Sequence, residues 1–368
     1  MQQPFRVFIV DDNSLYRRIL TMAVEATPGP TQVETAPSGA IALKKIPLFA
    51  PDLVLLDIEM PDMNGIEVLK AIRAEYPRIA VALVSGVNSR SADITIEGLT
   101  SGASDFVSKP VGANLAENAA QLRGDLERIF LAVQQRSEAR AARAARTEPQ
   151  PRAEPPLPRA MPALLPARVE VVGIGVSTGG PTALEQVLPA LPATLRVPVL
   201  IVQHMPPLFT DSLAKALDRR CALRVCEAAE GQPLEPGGVY IAPGGRHLRV
   251  EPAPAGGPGL RLVARLDDGA PVNSCKPAVD VLFKSLAEAV GRHTLAVVMT
   301  GMGQDGLAGV ADIKARQGYC LTQSEDTCTV YGMPQAVDQA GLSDERVPLG
   351  ELAARILSLT GVGAPQGR

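Results

Sequence analysis

Three residues in the second half of the chain have the types and placement of an activated serine nucleophile. Ser177 lies in Gly175-Val-Ser-Thr-Gly179, a G-x-S-x-G pattern that presents a nucleophile on a sharp strand-to-helix turn. His204 follows the apolar run 197–202, and Asp305 follows another at 294–299. Serine alone is a poor nucleophile. It needs a base within hydrogen-bond reach, and the base needs a group that fixes its tautomer and stabilises its charged form. Ser177, His204 and Asp305 supply those roles in turn. Of the other two histidines, His247 sits in a glycine-rich stretch and His293 precedes a strand, so neither is as well placed. A plainer reading stays open beside this one, in which Ser177 caps the helix that Pro181 opens.

A second set stands in the first half. Asp11 and Asp12 end an apolar run at 5–10, Asp57 ends one at 53–56, Ser85 one at 79–84, and Lys109 follows the short run 105–108. Carboxylates gathered in one pocket repel each other unless a cation joins them, and a set of oxygens with few other ligand types suits Mg²⁺. The ion and Lys109 could then neutralise a phosphoryl group delivered to an aspartate.

Both sets require the same scaffold. Continuous apolar runs are expected of strands buried on both faces, and here they alternate with helical patterns. That alternation implies α/β folding with parallel sheets, which bind ligands outside their strand carboxyl ends. The expected organisation is two domains, 1–134 and 168–368, joined by a linker at 135–167. Residues 114–135 read as an amphipathic helix. The apolar face then gives way to the Arg/Ala-rich run 136–146 and a proline-dense tract at 149–166, a semi-rigid spacer.

Composition narrows the classes. With 20% charged residues, 46% hydrophobic ones and a net charge of -3, the chain has no basic surplus to suggest nucleic acid. No apolar run approaches the ~20 residues needed to span a bilayer, so no membrane insertion is expected. The start lacks a secretory pattern. The five cysteines form no C-x-x-C pair and no zinc spacing with the histidines, which reads as reduced thiols in a cytoplasmic protein.

Two rival patterns bear on Ser177 and Asp305. Gly301-Met-Gly-Gln-Asp-Gly306 satisfies G-x-G-x-x-G between a strand and a helix, with Glu325 and Asp326 about 20 residues on, as in a dinucleotide-binding enzyme. Against it, Asp305 would repel a pyrophosphate, and Ser177 and His204 would go unexplained. The α/β-hydrolase order is Ser, acid, His, whereas this chain runs Ser, His, Asp. A binding module under phosphorylation control, without hydrolytic activity, is the other alternative.

Over about residues 5–122 the chain resembles the response-regulator receiver family, through Val-Asp11-Asp12-Asn, Leu-Asp57-Ile-Glu-Met-Pro-Asp-Met-Asn-Gly65, Val-Ser85 and Phe106-Val-Ser-Lys109-Pro110. The resemblance implies a doubly wound, flavodoxin-like domain in which Asp57 accepts phosphate from a sensor histidine kinase. It also implies Mg²⁺ held by Asp11, Asp12, Asp57 and the Glu59 carbonyl, with Ser85 and Lys109 contacting the phosphoryl group and Phe106 at the aromatic switch position.

Over about residues 168–350 it resembles the chemotaxis protein-glutamate methylesterase (CheB) family. The matches are Gly173-Ile-Gly-Val-Ser177-Thr-Gly-Gly-Pro181, Val202-Gln-His204-Met-Pro206, Tyr240-Ile-Ala-Pro-Gly244, Cys275-Lys-Pro-Ala-Val-Asp280 and Thr300-Gly-Met-Gly-Gln-Asp305-Gly306. Val176 departs from the alanine usual in the family. This resemblance implies a parallel-sheet esterase with Ser177, His204 and Asp305 catalytic, the Met302 N–H in the oxyanion hole and no cofactor for the esterase step. The implied substrates are glutamate methyl esters on methyl-accepting chemoreceptors, with amide hydrolysis at receptor glutamines a second reaction open to the same machinery. The receiver-linker-effector order implies that phosphate on Asp57 activates the esterase.

Overall fold

The computed structural model describes residues 4–29, 31–110, 112, 114–144, 168–253 and 261–361, the side chains of 31 and 138–144 excepted. It divides into two compact units, Met1–Thr147 and Glu148–Arg368.

In the first unit β1 (Phe5–Val10), α1 (Ser14–Glu25), β2 (Thr31–Ala36), α2 (Gly39–Phe49), β3 (Leu53–Asp57), α3 (Gly65–Glu75), β4 (Ala80–Ser85), α4 (Ser89–Thr100), β5 (Asp105–Ser108) and α5 (Leu115–Ala144) alternate. The strands pair in parallel in the order β2-β1-β3-β4-β5. β3 and β4 are buried along their whole length, which is why they read as continuous apolar runs. The loops after the strands feed capped helices: Asn13, Ser38, Asn64 and Asn88 each accept a backbone N–H of the helix they start, and Asn64 with Glu67 completes a capping box. The strand order reverses at β1 and β3, so the crevice for ligands opens where β1 runs into Asp11 and β3 ends in Asp57. Leu122, Leu126, Ile129 and Phe130 of α5 join Val7, Ile9, Leu53 and Leu55 in the core.

α5 continues to Ala144, well past the end expected at 135. Its extra turns carry no apolar face, but alanine, arginine and glutamate are good helix formers and need no core to stay helical at the end of an existing helix. The proline-dense tract 149–166 lies outside the described residues.

The second unit contains β6 (Val171–Val176), α6 (Gly180–Val187), β7 (Val199–Gln203), α7 (Phe209–Asp218), β8 (Arg224–Glu227), β9 (Gly238–Ile241), β10 (His247–Pro252), β11 (Leu262–Asp267), α8 (Val279–Ala289), β12 (Thr294–Val298), α9 (Leu307–Ala315), β13 (Tyr319–Gln323), α10 (Met333–Gln339), β14 (Glu345–Val347) and α11 (Leu349–Leu359). Among the described residues seven strands form a parallel sheet in the order β14-β13-β12-β6-β7-β9-β8, and β10 and β11 form a separate antiparallel hairpin. β6 is fully buried between β7 and β12. Its glycines have a packing role: a Cβ on Gly173 would lie 2.6 Å from Leu286, and one on Gly175 only 2.4 Å from Val279. Their absence lets α8 lie directly on β6, and α8 starts where the carboxylates of the site are held. β6 passes to β7 on one side and meets β12 on the other, so the strand order reverses beside Ser177. Among the described residues no helix is long and apolar enough to cross a membrane.

Candidate active site

Asp11 and Asp57 are buried at the first crevice, and Asp12 is exposed on its rim. Lys109 Nζ reaches Asp57 Oδ2 at 2.8 Å and Asp11 Oδ2 at 3.1 Å. Burial raises the Asp57 pKa to about 6, with Lys109 opposing the shift and the Asp11 charge reinforcing it. The same burial works against the Lys109 charge, but Asp57 and Asp11 outweigh it and its pKa is raised. Lys109 also lies 4.6 Å from the centroid of the Tyr16 ring. The buried oxygens Asp11 Oδ2 and Asp57 Oδ2 make ion pairs with Lys109 but no hydrogen bond of proper geometry. Carboxylate oxygens of Asp11, Asp12 and Asp57 lie within 4.8 Å of one another. An all-oxygen set with unsatisfied buried atoms fits a hard cation such as Mg²⁺.

Ser85 is fully buried, and its hydroxyl accepts from Thr95 Oγ1 at 2.7 Å and donates to the Gly86 carbonyl at 3.1 Å. It is engaged with its own loop and α4. The Glu59 N–H donates to Asp57 Oδ1 at 3.2 Å, while the Glu59 carboxylate accepts from Ser91 Oγ at 2.7 Å. Phe106 is buried.

The second crevice is built by backbone contacts between three strand ends. The Ser177 N–H donates to the Thr300 carbonyl at 3.0 Å, and the His204 N–H donates to the Val176 carbonyl at 3.2 Å. Gln203, buried at the end of β7, donates from Nε2 to the carbonyls of Ser177 at 3.0 Å and His204 at 3.3 Å. This amide clamp on the Ser177 and His204 backbones is not apparent from sequence. α6 is capped by Gly179 in a left-handed conformation (φ 79°), with Pro181 in the first turn and no side-chain cap. Ser177 therefore does not cap the helix: it stands two residues before the cap, at the turn itself. Val176 fits because Gly180 faces it; a Cβ there would meet Val176 at 2.9 Å and Gln203 Oε1 at 1.8 Å.

His204 and Asp305 meet. His204 Nε2 is 2.8 Å from Asp305 Oδ2. The carboxylate is held from every side: Oδ2 also accepts from the Val279 N–H at 2.7 Å, and Oδ1 accepts from Asn273 Nδ2 at 2.9 Å and from the Asp280 and Gly306 N–H groups, both at 3.1 Å. Burial raises the Asp305 pKa, but these donors and His204 outweigh it, and the net shift is downward. An ionised Asp305 makes Nε2 the protonated nitrogen of a neutral His204 and leaves Nδ1 for proton transfer. Burial pulls the His204 pKa down, but the hydrogen bonds to Asp305 and Cys275 prevail and raise it to about 9. Asn273 also donates to Asp280 Oδ2 at 2.8 Å, and Asp280 Oδ1 accepts from the Gly306 and Gly309 N–H groups at 3.0 and 2.7 Å.

Ser177 and His204 are not joined by a side-chain hydrogen bond. Among the described residues the Ser177 hydroxyl makes no hydrogen bond, and Nδ1 of His204 faces Cys275 Sγ at 3.5 Å. Gly301 abuts Ser177, since a Cβ on it would lie 2.8 Å from Ser177 Cβ. The next N–H, that of Met302, has no acceptor among the described residues, the condition an oxyanion donor needs. His247 is structural: it begins β10, accepts from the Ala278 N–H on Nδ1 at 3.1 Å and meets the Ala270 carbonyl through Nε2 at 3.0 Å. His293 Nδ1 lies 2.7 Å from the Arg168 carbonyl, on the surface. Cys275 and Asn273 were not legible as site residues. Both are delivered by a tight turn in which Val272 and Cys275 exchange backbone hydrogen bonds, with Asn273 (φ 52°) and Ser274 (φ 61°) left-handed as a type I′ turn requires. The acid of the glycine-rich loop, Asp305, is the ring partner of His204, so the dinucleotide reading is not favoured.

Comparison with known proteins agrees with both halves. The CheB methylesterase family model matches residues 172–356, and the response regulator receiver domain model matches residues 7–121. A protein-glutamate methylesterase/protein-glutamine glutaminase of Desulfotalea psychrophila is 40% identical over 358 residues, covering 96% of this chain and 97% of its own. A protein of the same description from Nocardioides sp. is 43% identical, covering 96% of this chain and 94% of its own. The crystal structure of the Thermotoga maritima CheB methylesterase catalytic domain is 39% identical, covers 52% of this chain and 98% of that one, and superposes with a TM-score of 0.49.

Proposed function

Because the chain belongs to the CheB methylesterase family and carries a response regulator receiver domain, we propose that it is a phosphorylation-activated serine hydrolase that demethylates glutamate esters on chemoreceptors and releases methanol. Its relatives' names carry a second reaction, hydrolysis of protein glutamine, which the same residues would perform with ammonia as leaving group. We read a receiver at 1–134, a linker at 135–167 and a catalytic domain at 168–368, in a cytoplasmic protein.

Ser177 attacks the ester carbonyl, and His204 takes its proton through Nδ1, the nitrogen that Asp305 does not hold. Asp305 keeps the tautomer and stabilises the imidazolium, which then returns the proton to the departing methoxide. The Met302 N–H receives the oxyanion. Water next attacks the acyl-serine, with His204 again as base, and a glutamate carboxylate leaves. The observation that carries this reading is the 2.8 Å contact of His204 with a carboxylate held by four further donors, beside the strand end that bears Ser177.

Asp57 is the phosphoacceptor, with Lys109 and Ser85 as phosphoryl contacts and a sensor histidine kinase as donor. Asp11, Asp12, Asp57 and the Glu59 carbonyl would hold Mg²⁺. The ion, when bound, neutralises charge on the incoming phosphoryl group. For Ser85 to donate to that group, its hydroxyl must release the Gly86 carbonyl. The test is methanol release from methylated receptor membranes with and without a small acyl-phosphate donor. The wild type is expected to rise on the order of tenfold, within the usual range of coupling between two sites, and Asp57→Asn to stay at its basal rate. An equal rise in Asp57→Asn would remove Asp57 from the control of the esterase.

The raised His204 pKa also has a sign that can be checked. A base must be neutral to accept a proton, so with a pKa of about 9 kcat/KM for methanol release should climb about tenfold per pH unit below that value and level off above it. Cys275→Ala removes one of the groups that raise it, and the inflection should move to lower pH. A wild-type inflection at or below the ordinary histidine value would contradict this.

A further inference from the structure

Only one nitrogen of His204 is used by Asp305; the other faces a thiol. Nε2 lies 2.8 Å from Asp305 Oδ2, and Nδ1 lies 3.5 Å from Cys275 Sγ. A carboxylate behind one ring nitrogen, with a sulfur beside the other, is how proteins hold borderline-soft divalent metals: the carboxylate orients the ring and raises its basicity, and the remaining nitrogen and the thiolate bind the ion. The spacing also fits. With Zn–S near 2.3 Å and Zn–N near 2.0 Å, two ligands of a tetrahedral ion stand about 3.5 Å apart. Donor atoms of His204, Cys275 and Asp305 all lie within 4.8 Å of one another.

We propose that His204 Nδ1 and Cys275 Sγ form an inhibitory site for a thiophilic divalent cation of the Zn²⁺ class, with Asp305 orienting the ring and water completing the coordination. As the metal–nitrogen and metal–sulfur bonds form, the thiol proton leaves to solvent, together with the Nδ1 proton where His204 is protonated. Ligation ties up the nitrogen that would accept the Ser177 proton, so the esterase stops. Cys275 is half-buried, and the His204 side chain is 12% exposed, so the pair can be reached from solvent. The tight turn from Val272 to Cys275 fixes the sulfur, and it needs no rearrangement to bind. Three of the other thiols are less ready to become thiolates: burial pushes the Cys221 pKa up to about 11 and raises those of Cys320 and Cys328. The pocket of Asp11, Asp12 and Asp57 offers only oxygen and favours a hard ion, so the two sites are separated by ligand softness.

The inhibition rests on His204 being the base; the binding does not. Full-length protein is therefore titrated with Co²⁺, read by the thiolate-to-cobalt charge-transfer band, and separately with Zn²⁺, read by methanol release at constant Mg²⁺. The wild type should show the band, lose activity with Zn²⁺ and recover it on chelation. Cys275→Ser should lose the band and require at least about tenfold more Zn²⁺ for half-inhibition, the scale of loss seen when a metal site is disrupted. Cys328→Ser should behave as wild type in both. A band that persists in Cys275→Ser, or is missing from the wild type, overturns the site. A Cys275-dependent band without inhibition by Zn²⁺ overturns the inhibitory role and removes His204 as base. Were the wild type to release no methanol at all, the esterase reading would fail while the cobalt band still decided the site.

Discussion

Ser177→Ala is expected to lower methanol release from methylated receptor membranes by on the order of 10⁶-fold, to background, as removal of the serine does in other triads. The fold should survive. Ser177 is buried, its hydroxyl makes no hydrogen bond among the described residues, and the helix behind it is capped by Gly179. Alanine therefore removes one oxygen and strands no partner, so a thermal melt should shift by no more than a surface substitution would. Retained turnover in this variant would place the nucleophile elsewhere. Loss of turnover together with a collapsed melt would point instead to a structural role for the hydroxyl.

Asp305→Asn carries two effects of different origin. Chemically, an amide can donate to Nε2 and so hold the wrong tautomer of His204, which costs about 10⁴-fold in rate where the same exchange is made in a serine triad. Structurally, the Val279, Asp280 and Gly306 N–H groups and Asn273 all point hydrogens at this carboxylate. An amide has only one oxygen to accept them. Its NH₂ would face donors, leaving at least one buried N–H unsatisfied at a cost of about 1–3 kcal/mol. Kinetics and calorimetry on one preparation separate the two, and the kcat/KM inflection should fall because the main group raising the His204 pKa has lost its charge. A variant with normal rate and lowered stability would leave Asp305 as scaffold only.

Much of this was legible because parallel sheets write themselves plainly. β3, β4, β6, β7 and β12 are buried on both faces, so each appears as a continuous apolar run whose first polar residue marks the crevice. That is why Asp57, Ser85, Ser177, His204 and Asp305 could be gathered from spacing alone. β2 gives no such run: it is an edge strand, Thr-Gln-Val-Glu-Thr-Ala, half polar by necessity. The stretch from β8 to β11 offers no comparable run because its strands are short and partly exposed. Nor could sequence place Asn273 and Cys275 against Asp305 and His204. Two consecutive left-handed residues, neither of them glycine, turn the chain there, and the contacts that stabilise that turn come from residues distant in sequence. α5 outruns its apolar pattern for the opposite reason, since its last turns follow local propensity without any such pattern.

The pairing of β6 with β12 governs when the crevice of Ser177, His204 and Asp305 can exist. Val171 lies beside Thr294 and Gly175 beside Val298, whereas β7, the neighbour on the other side, follows almost at once. A chain emerging from the ribosome can therefore zip β6 to β7 early, yet it carries an open apolar edge along β6, the strand that leads into Ser177, until β12 is made. An edge of that kind is a template for unwanted strand addition, and longer chains meet this hazard during synthesis. Ser177 and His204 are translated long before Asp305, the partner of the His204 ring. Nascent chains thus pass through a long stage in which the serine is present and the esterase is not.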